Sequence, residues 1–273
     1  MTTAYDSSPT SFSTALPRLE PAGPGAGQTT PIHRAEIHEL GSERYSEGML
    51  ARYVPGAVRD QLSRGISPEC GEREVTVMFL DLRDFTAFVD DRSPEEAFRF
   101  INCYTETMSR IVEGHGGSVV EFNGDGMMAI FGAVTLTRGK ERSAIRAALE
   151  MQSVIGELGI ETPGFEPCIG IGIATGRAFV GNIRAADRWI WSAIGRTTNL
   201  ASRLQGKSRE LGATIVVDAT TRERTASLTR HFDDLGSVAI RGCRRLVEIF
   251  ALRSNHPGPA AMPTLRASQP TRC

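Results

Sequence analysis

The chain has 273 residues, with 31 Lys and Arg against 32 Asp and Glu, a net charge of −1, and 40% hydrophobic and 23% charged residues. That composition fits a soluble globular protein of one or two domains, and the balanced charge excludes a general nucleic-acid binder, which carries a basic excess on one face or tail. No apolar run approaches the ~20 residues that span a bilayer, the N-terminus lacks the basic-then-apolar order of a secretory signal, and five scattered Cys without a CxxC pair fit a reducing cytoplasm rather than a disulfide or zinc framework.

Residues 1–41 are rich in Ser, Thr, Pro and Gly. They bury too little apolar surface to offset their ordering entropy and read as a disordered leader. Residues 42–72 carry Met49, Leu50, Tyr53, Val54, Val58 and Leu62 at roughly helical spacing, broken by Pro55, and read as a helical linker. Residues 73–253 form the folded domain, and 254–273, with four prolines, form a flexible tail.

Within the domain, Glu74 to Leu82 (EVTVMFLDL) reads as a buried strand, followed by a turn at Asp84, Phe85 and Thr86. Ser93 then caps a helix with Pro94 at its first position and Glu95 and Glu96 in its first turn. Phe98, Ile101, Tyr104, Met108, Ile111 and Val112 continue that helix until Gly114, Gly116 and Gly117 end it. Ser118–Phe122 and Met127–Phe131 flank Asn123-Gly124-Asp125-Gly126, a strong hairpin signal, because these residues tolerate the positive φ of tight turns. Further expected elements are a helix over Glu141–Leu158, a strand over Cys168–Thr175, a helix over Thr197–Leu211, a strand over Thr214–Val217, and a closing hairpin of Val238–Arg241 with Leu246–Leu252. Interleaved strands and helices with several hairpins give an α+β class with a mixed or antiparallel sheet.

Asp81, at the end of the first strand, and Asp125, in the hairpin turn, converge if strand, helix and hairpin return to one sheet. Two carboxylates and an adjacent backbone carbonyl, offered by Leu82, form a hard oxygen site of the kind that holds Mg²⁺ against nucleotide phosphates. Such ions serve in-line phosphoryl transfer.

Three strings carry a resemblance: VMFLDLRDFTAF (Val77–Phe88), EFNGDGMMAIFG (Glu121–Gly132) and AIGRTTNLASRL (Ala193–Leu204). In their order and approximate spacing, the chain resembles the class III nucleotidyl cyclase catalytic domain over about Arg73 to Leu252. The resemblance implies a ferredoxin-like core with helices flanking the sheet. It also implies a homodimer with composite active sites, each using two Mg²⁺ or Mn²⁺ ions and ATP or GTP as substrate. By that resemblance Asp81 and Asp125 are the metal ligands, with the Leu82 carbonyl beside them. Asn199 orients the ribose and Arg203 stabilises charge on the α-phosphate; their i,i+4 spacing puts both on one helix face. Arg241 stands where the family usually has a Lys that contacts the terminal phosphates, and Arg keeps the charge in bidentate form. Phe85 and Thr86 occupy the turn whose amides cradle the triphosphate.

The family's base-reading positions fall on Glu121 and Ser192. A carboxylate accepts from the guanine N1 and N2 hydrogens, whereas adenine N1 is itself an acceptor; Ser192 pairs with either base. Local chemistry therefore favours GTP, with ATP left open. Two alternatives are an adenylate cyclase with an unusual base-reading pair and a nucleotide-binding regulatory module with little turnover. An RNA-binding domain of the same general shape is disfavoured, since its sheet needs exposed aromatics and a basic flank. Trp189 and Trp191 read as packing or dimer contacts, the Met127-Met128 pair as core, and the histidines as surface or turn residues.

Overall fold

The computed structural model describes residues 70–133, 138–160, 162, 164–185 and 188–253. The proposed leader, the tail, and the linker as far as residue 69 lie outside the described residues.

The elements run β1 (Gly71–Arg83), α1 (Phe85–Asp90), α2 (Pro94–Gly114), β2 (Gly117–Asn123), β3 (Gly126–Phe131), α3 (Lys140–Ile160), β4 (Cys168–Ala185), β5 (Arg188–Ile194), α4 (Arg196–Glu210), β6 (Ala213–Asp218), α5 (Ala219–Arg224), β7 (Asp233–Val238) and β8 (Val247–Arg253). They build one mixed sheet in the order β2-β3-β1-β4-β6-β8-β7, with β5 paired to the outer half of β4. Among the described residues only the β4–β6 pairing is parallel; β1 runs antiparallel to both β3 and β4. This is the expected α+β architecture.

The central strand β1 is apolar on both faces because both are covered. Met78, Leu80 and Leu82 join a core with Tyr104, Met108 and Val112 of α2 and Ile145 and Met151 of α3. Val75 and Val77 point the other way, into a second core with Ala201 and Leu204 of α4 and with Trp191. Helix α2 begins as its sequence dictates: the Ser93 Oγ accepts from the Glu96 amide while the Glu96 carboxylate accepts from the Ser93 amide. Helix α4 lies close on β4, and a Cβ at Gly172 would collide with the backbone of Ala201 and Gln205.

Several expectations are corrected. The segment at Phe85 and Thr86 is the start of the short helix α1, not a turn. Strand β4 does not stop at Thr175; β1 carries it through Gly176 as far as Val180, and β5 pairs with it from Phe179 to Ala185. Strand β5 was not anticipated, nor was α5. The closing hairpin uses Asp233–Val238 rather than Val238–Arg241, which leaves Arg241 in the connecting loop. The polar sequence DDLGSV hid β7, since its hydrogen bonds come from β8 and not from any local apolar alternation. Trp191 is buried packing, and the side chain of Trp189 lies outside the described residues. His115 is half-buried and joins Glu150 across α2 and α3 at 2.7 Å.

Candidate functional site

The sheet register brings the two aspartates together. Asp81 lies two residues before the end of β1, and β3, which follows Asp125 directly, pairs Met127 with Leu80. The hairpin turn places Gly124 first, with φ +64°, so Asp125 takes the second position at ordinary φ. Gly126 keeps the two strands close at this point, since a Cβ there would lie 3.3 Å from Asp81 Oδ1.

Asp81 and Asp125 line an open cleft of about 620 Å³. Its floor is the end of β1, with Leu82, Arg83 and Asp84; one wall is α1, with Phe85, Thr86 and Ala87. The other wall is the C-terminal half of α4, with Gln205, Gly206, Ser208 and Arg209. A helix cannot bond the N–H groups of its own first turn. In α1 those belong to Phe85, Thr86 and Ala87, and Phe88 is the first to close a bond, onto Asp84 O at 3.1 Å. The Phe85 ring anchors this wall by stacking on Phe88 and Phe100, at 5.9 and 6.3 Å between centroids.

Burial, and then the charge and hydrogen bond of Asp125, push the Asp81 carboxyl up to about 6, while Arg209 pulls it back. Two carboxylates thus repel each other in a half-buried cleft, and Arg209, paired with Asp84, offsets that repulsion only in part. Among the described residues no group of three or more Asp, Glu, His or Cys is placed to hold a metal. The donor set of two carboxylates and a nearby carbonyl suits Mg²⁺ or Mn²⁺, which complete their coordination with water and substrate phosphates. A thiolate-seeking metal is not served.

Besides the α4 residues, sequence reading missed Asp84 and Arg83, which line this cleft, and Tyr104, which is buried near its two aspartates. Asp84 is the only non-glycine residue at positive φ among those described, at +58°, and its carboxylate meets Arg209 Nη2 at 2.8 Å. Arg83 ties the end of β1 to the carbonyls of Ser208 and Ala213. Tyr104 is buried, and the nearby charges of Asp81 and Asp125 join desolvation in raising its hydroxyl far above the ordinary tyrosine value. A left-handed Asp next to a strand end is a weak signal; the other two have no local signature.

The remaining candidates sit elsewhere on the chain. Thr197, Ala201, Leu204 and Ser208 form the buried stripe of α4, and Asn199 and Arg203 lie on its other side. Arg203 rests on the Ile240–Cys243 turn, with Nη1 donating to Cys243 Sγ at 3.7 Å. Arg241 is exposed at that turn. Ser192 is buried on β5 opposite Gly181, and Glu121 is exposed on β2, directly after a register shift in the β2–β3 ladder. Strands β2 and β5 touch. The residues lining the aspartate cleft include none of Asn199, Arg203, Arg241, Glu121 or Ser192.

The chain is similar to several known proteins. "Adenylate cyclase 1" of Rhizobium meliloti (strain 1021) is 30% identical over 240 residues, which cover 81% of this chain and 35% of that protein. The chain spans about a third of the length of the curated relatives it matches. Among solved structures, the adenylyl cyclase CyaB from P. aeruginosa is 28% identical with a TM-score of 0.59, covering 69% of this chain and 97% of that one. The guanylyl cyclase Cya2 is 30% identical with a TM-score of 0.59, covering 67% and 93%. The model of the adenylate and guanylate cyclase catalytic domain matches residues 69–254, and the chain accordingly belongs to that class III cyclase family.

Proposed function

We propose that this domain converts a nucleoside triphosphate to its 3′,5′-cyclic monophosphate and pyrophosphate, in a site assembled from two copies of the chain. The observation that carries this reading is the separation of two half-sites. Asp81 and Asp125 face one cleft, while Asn199, Arg203 and Arg241 gather on the far side of α4. A symmetric head-to-tail pairing unites the cleft of one copy with the arginines of the other, twice per dimer.

The family generally uses divalent metal ions. In this chain Asp81, Asp125 and the Leu82 carbonyl would hold two Mg²⁺ or Mn²⁺ ions. Such ions, when bound, acidify the ribose 3′-hydroxyl and neutralise phosphate charge. The first-turn amides of Phe85 and Thr86 donate to triphosphate oxygens. Asn199 of the partner subunit orients the ribose, and Arg241 of the partner subunit meets the terminal phosphates. The 3′-oxygen attacks the α-phosphorus as the bond to pyrophosphate breaks, and Arg203 of the partner subunit stabilises the charge that develops on the α-phosphate oxygens. The described cysteines 70, 103, 168 and 243 are free thiols, which supports a cytoplasmic setting.

For the base, Glu121 and Ser192 favour guanine: the carboxylate accepts from N1 and N2, and the hydroxyl donates to O6. The relatives named adenylate cyclase support ATP as the second reading. Purified protein incubated with Mn²⁺ and either ATP or GTP, scored for cyclic product, tests both. Cyclic GMP as the main product supports the Glu121 and Ser192 reading, and cyclic AMP replaces it with the second. Nucleotide binding without pyrophosphate release overturns both in favour of a regulatory module.

A further inference from the structure

The turn that carries Arg241 does a second thing. Ile240, Arg241, Gly242 and Cys243 form a closed turn, with the Cys243 amide donating to the Ile240 carbonyl at 2.9 Å. Ile240 is buried and Cys243 packs against the same core, so both ends of the turn are anchored. Gly242, third in the turn, has φ +71°, the left-handed value that a type II turn requires there. The Arg203 guanidinium lies flat on this glycine: a Cβ would stand 2.7 Å from Nη2, 3.0 Å from Nη1 and 3.1 Å from Cζ. Its Nη1 then donates to the Cys243 sulfur.

We propose that the Ile240–Cys243 turn is a positioning clamp for Arg203. Gly242 supplies the flat seat and Cys243 the acceptor that sets the guanidinium's rotation. Gly242 is needed for two separate reasons, the positive φ and the missing Cβ. Because Arg241 belongs to the same anchored turn, the clamp also fixes the spacing between two cations that must meet the α- and terminal phosphates together. This inference rests on the proposed cyclisation, in which Arg203 acts on the transition state.

Two substitutions separate the glycine's roles. Gly242→Ala adds a Cβ and strains the backbone, whereas Gly242→Asn adds a Cβ but tolerates the left-handed conformation. Both are expected to lower kcat by about tenfold to a hundredfold with KM changed less than about threefold, as a displacement of a transition-state group by ~1 Å does. Gly242→Asn should keep the wild-type Tm. Cys243→Ser, which retains an acceptor, should stay within about threefold of wild type, and Cys243→Val should lose more. In an Arg203→Ala background, Gly242→Asn should cost less than about twofold, because both changes act through the same guanidinium. Wild-type kcat in Gly242→Asn, or an equal further loss in the Arg203→Ala background, would overturn the clamp. A crystal structure of Gly242→Asn with the guanidinium in its original place overturns it as well, and does so without reference to turnover. Absence of cyclic product from the wild type is a different failure, that of the cyclase reading.

Discussion

The aspartate cleft and the Arg203 seat are opposite solutions to holding charge. In the cleft, Asp81 and Asp125 lie together with Arg209 as a partial counterweight, and burial and mutual repulsion still hold the Asp81 carboxyl near 6. At the seat, the Arg203 guanidinium is stacked on Gly242 and bonded to Cys243. The first arrangement sets like charges against each other; the second sets a charge against packed neighbours. The contrast teaches a division of labour. Cation-binding groups gain from being only partly compensated in the free protein, whereas a group that stabilises a transition state gains from being fixed before the substrate binds.

The most severe way to break this contrast is to empty one half. Asp81→Ala or Asp125→Ala should lower cyclic nucleotide formation by at least ~10³-fold, since the phosphates then lack their cations. Mixing Asp81→Ala with Arg203→Ala protein should restore roughly a quarter of wild-type activity, because half of the random dimers contain one intact composite site of two. A mixture as inactive as its components sinks the composite site.

Helix α4 serves both regions, with Gln205, Ser208 and Arg209 facing the cleft and Arg203 facing the turn. Gly172→Ala should therefore damage both halves together. Its methyl meets the backbone of Ala201 and Gln205, and a cost of about 1–3 kcal/mol in urea unfolding is expected for such overpacking. Normal stability would show that α4 has room to lift.

A milder change tests the base-reading pair, which lies outside the aspartate cleft. Glu121→Lys with Ser192→Asp should shift the ATP to GTP preference toward ATP by roughly ten- to a hundredfold, the worth of one buried polar group left unpaired. An unchanged ratio of kcat/KM values means the base is read elsewhere.

The smallest effect is on the cleft's own electrostatics. Asp81 binds its proton more tightly folded than unfolded, so without metal the folded state gains stability at low pH and loses it as pH rises through about 6. Asp81→Asn should raise metal-free stability at pH 7 by about 1 kcal/mol, a figure discounted for the group's half-exposed setting. Mn²⁺ affinity of the wild type should fall below pH 6, where the proton competes. Thermal melts with and without Mn²⁺ across pH 4–8 check both; a wild-type stability independent of pH in that range removes the mutual repulsion of the pair.

Much of the molecule was legible from local rules. The Ser93 to Glu96 capping box, the Asn123–Gly126 hairpin and the β-branched run of β1 are all set by residues within a few positions of each other. Less legible were elements whose partners are distant in sequence. Strand β5, the outer half of β4 and the polar β7 exist because neighbouring strands supply their hydrogen bonds, and α1 starts after a left-handed Asp84 and packs through the rings of Phe85 and Phe88 against Phe100.

The amino-acid sequence by itself determined the chemistry on offer: a pair of hard oxygen donors at a strand end and a hairpin, an Asn and an Arg one helical turn apart, and an arginine beside a glycine. It did so because residue type and short spacing are properties of the chain. Only the tertiary structure decided which of these share a surface. The β1–β3 register joined Asp81 to Asp125, and the close approach of α4 to β4 divided its residues between cleft and turn. The seating of Arg203 on Gly242 spans about forty residues and depends on the packing of Ile240, which no local pattern encodes.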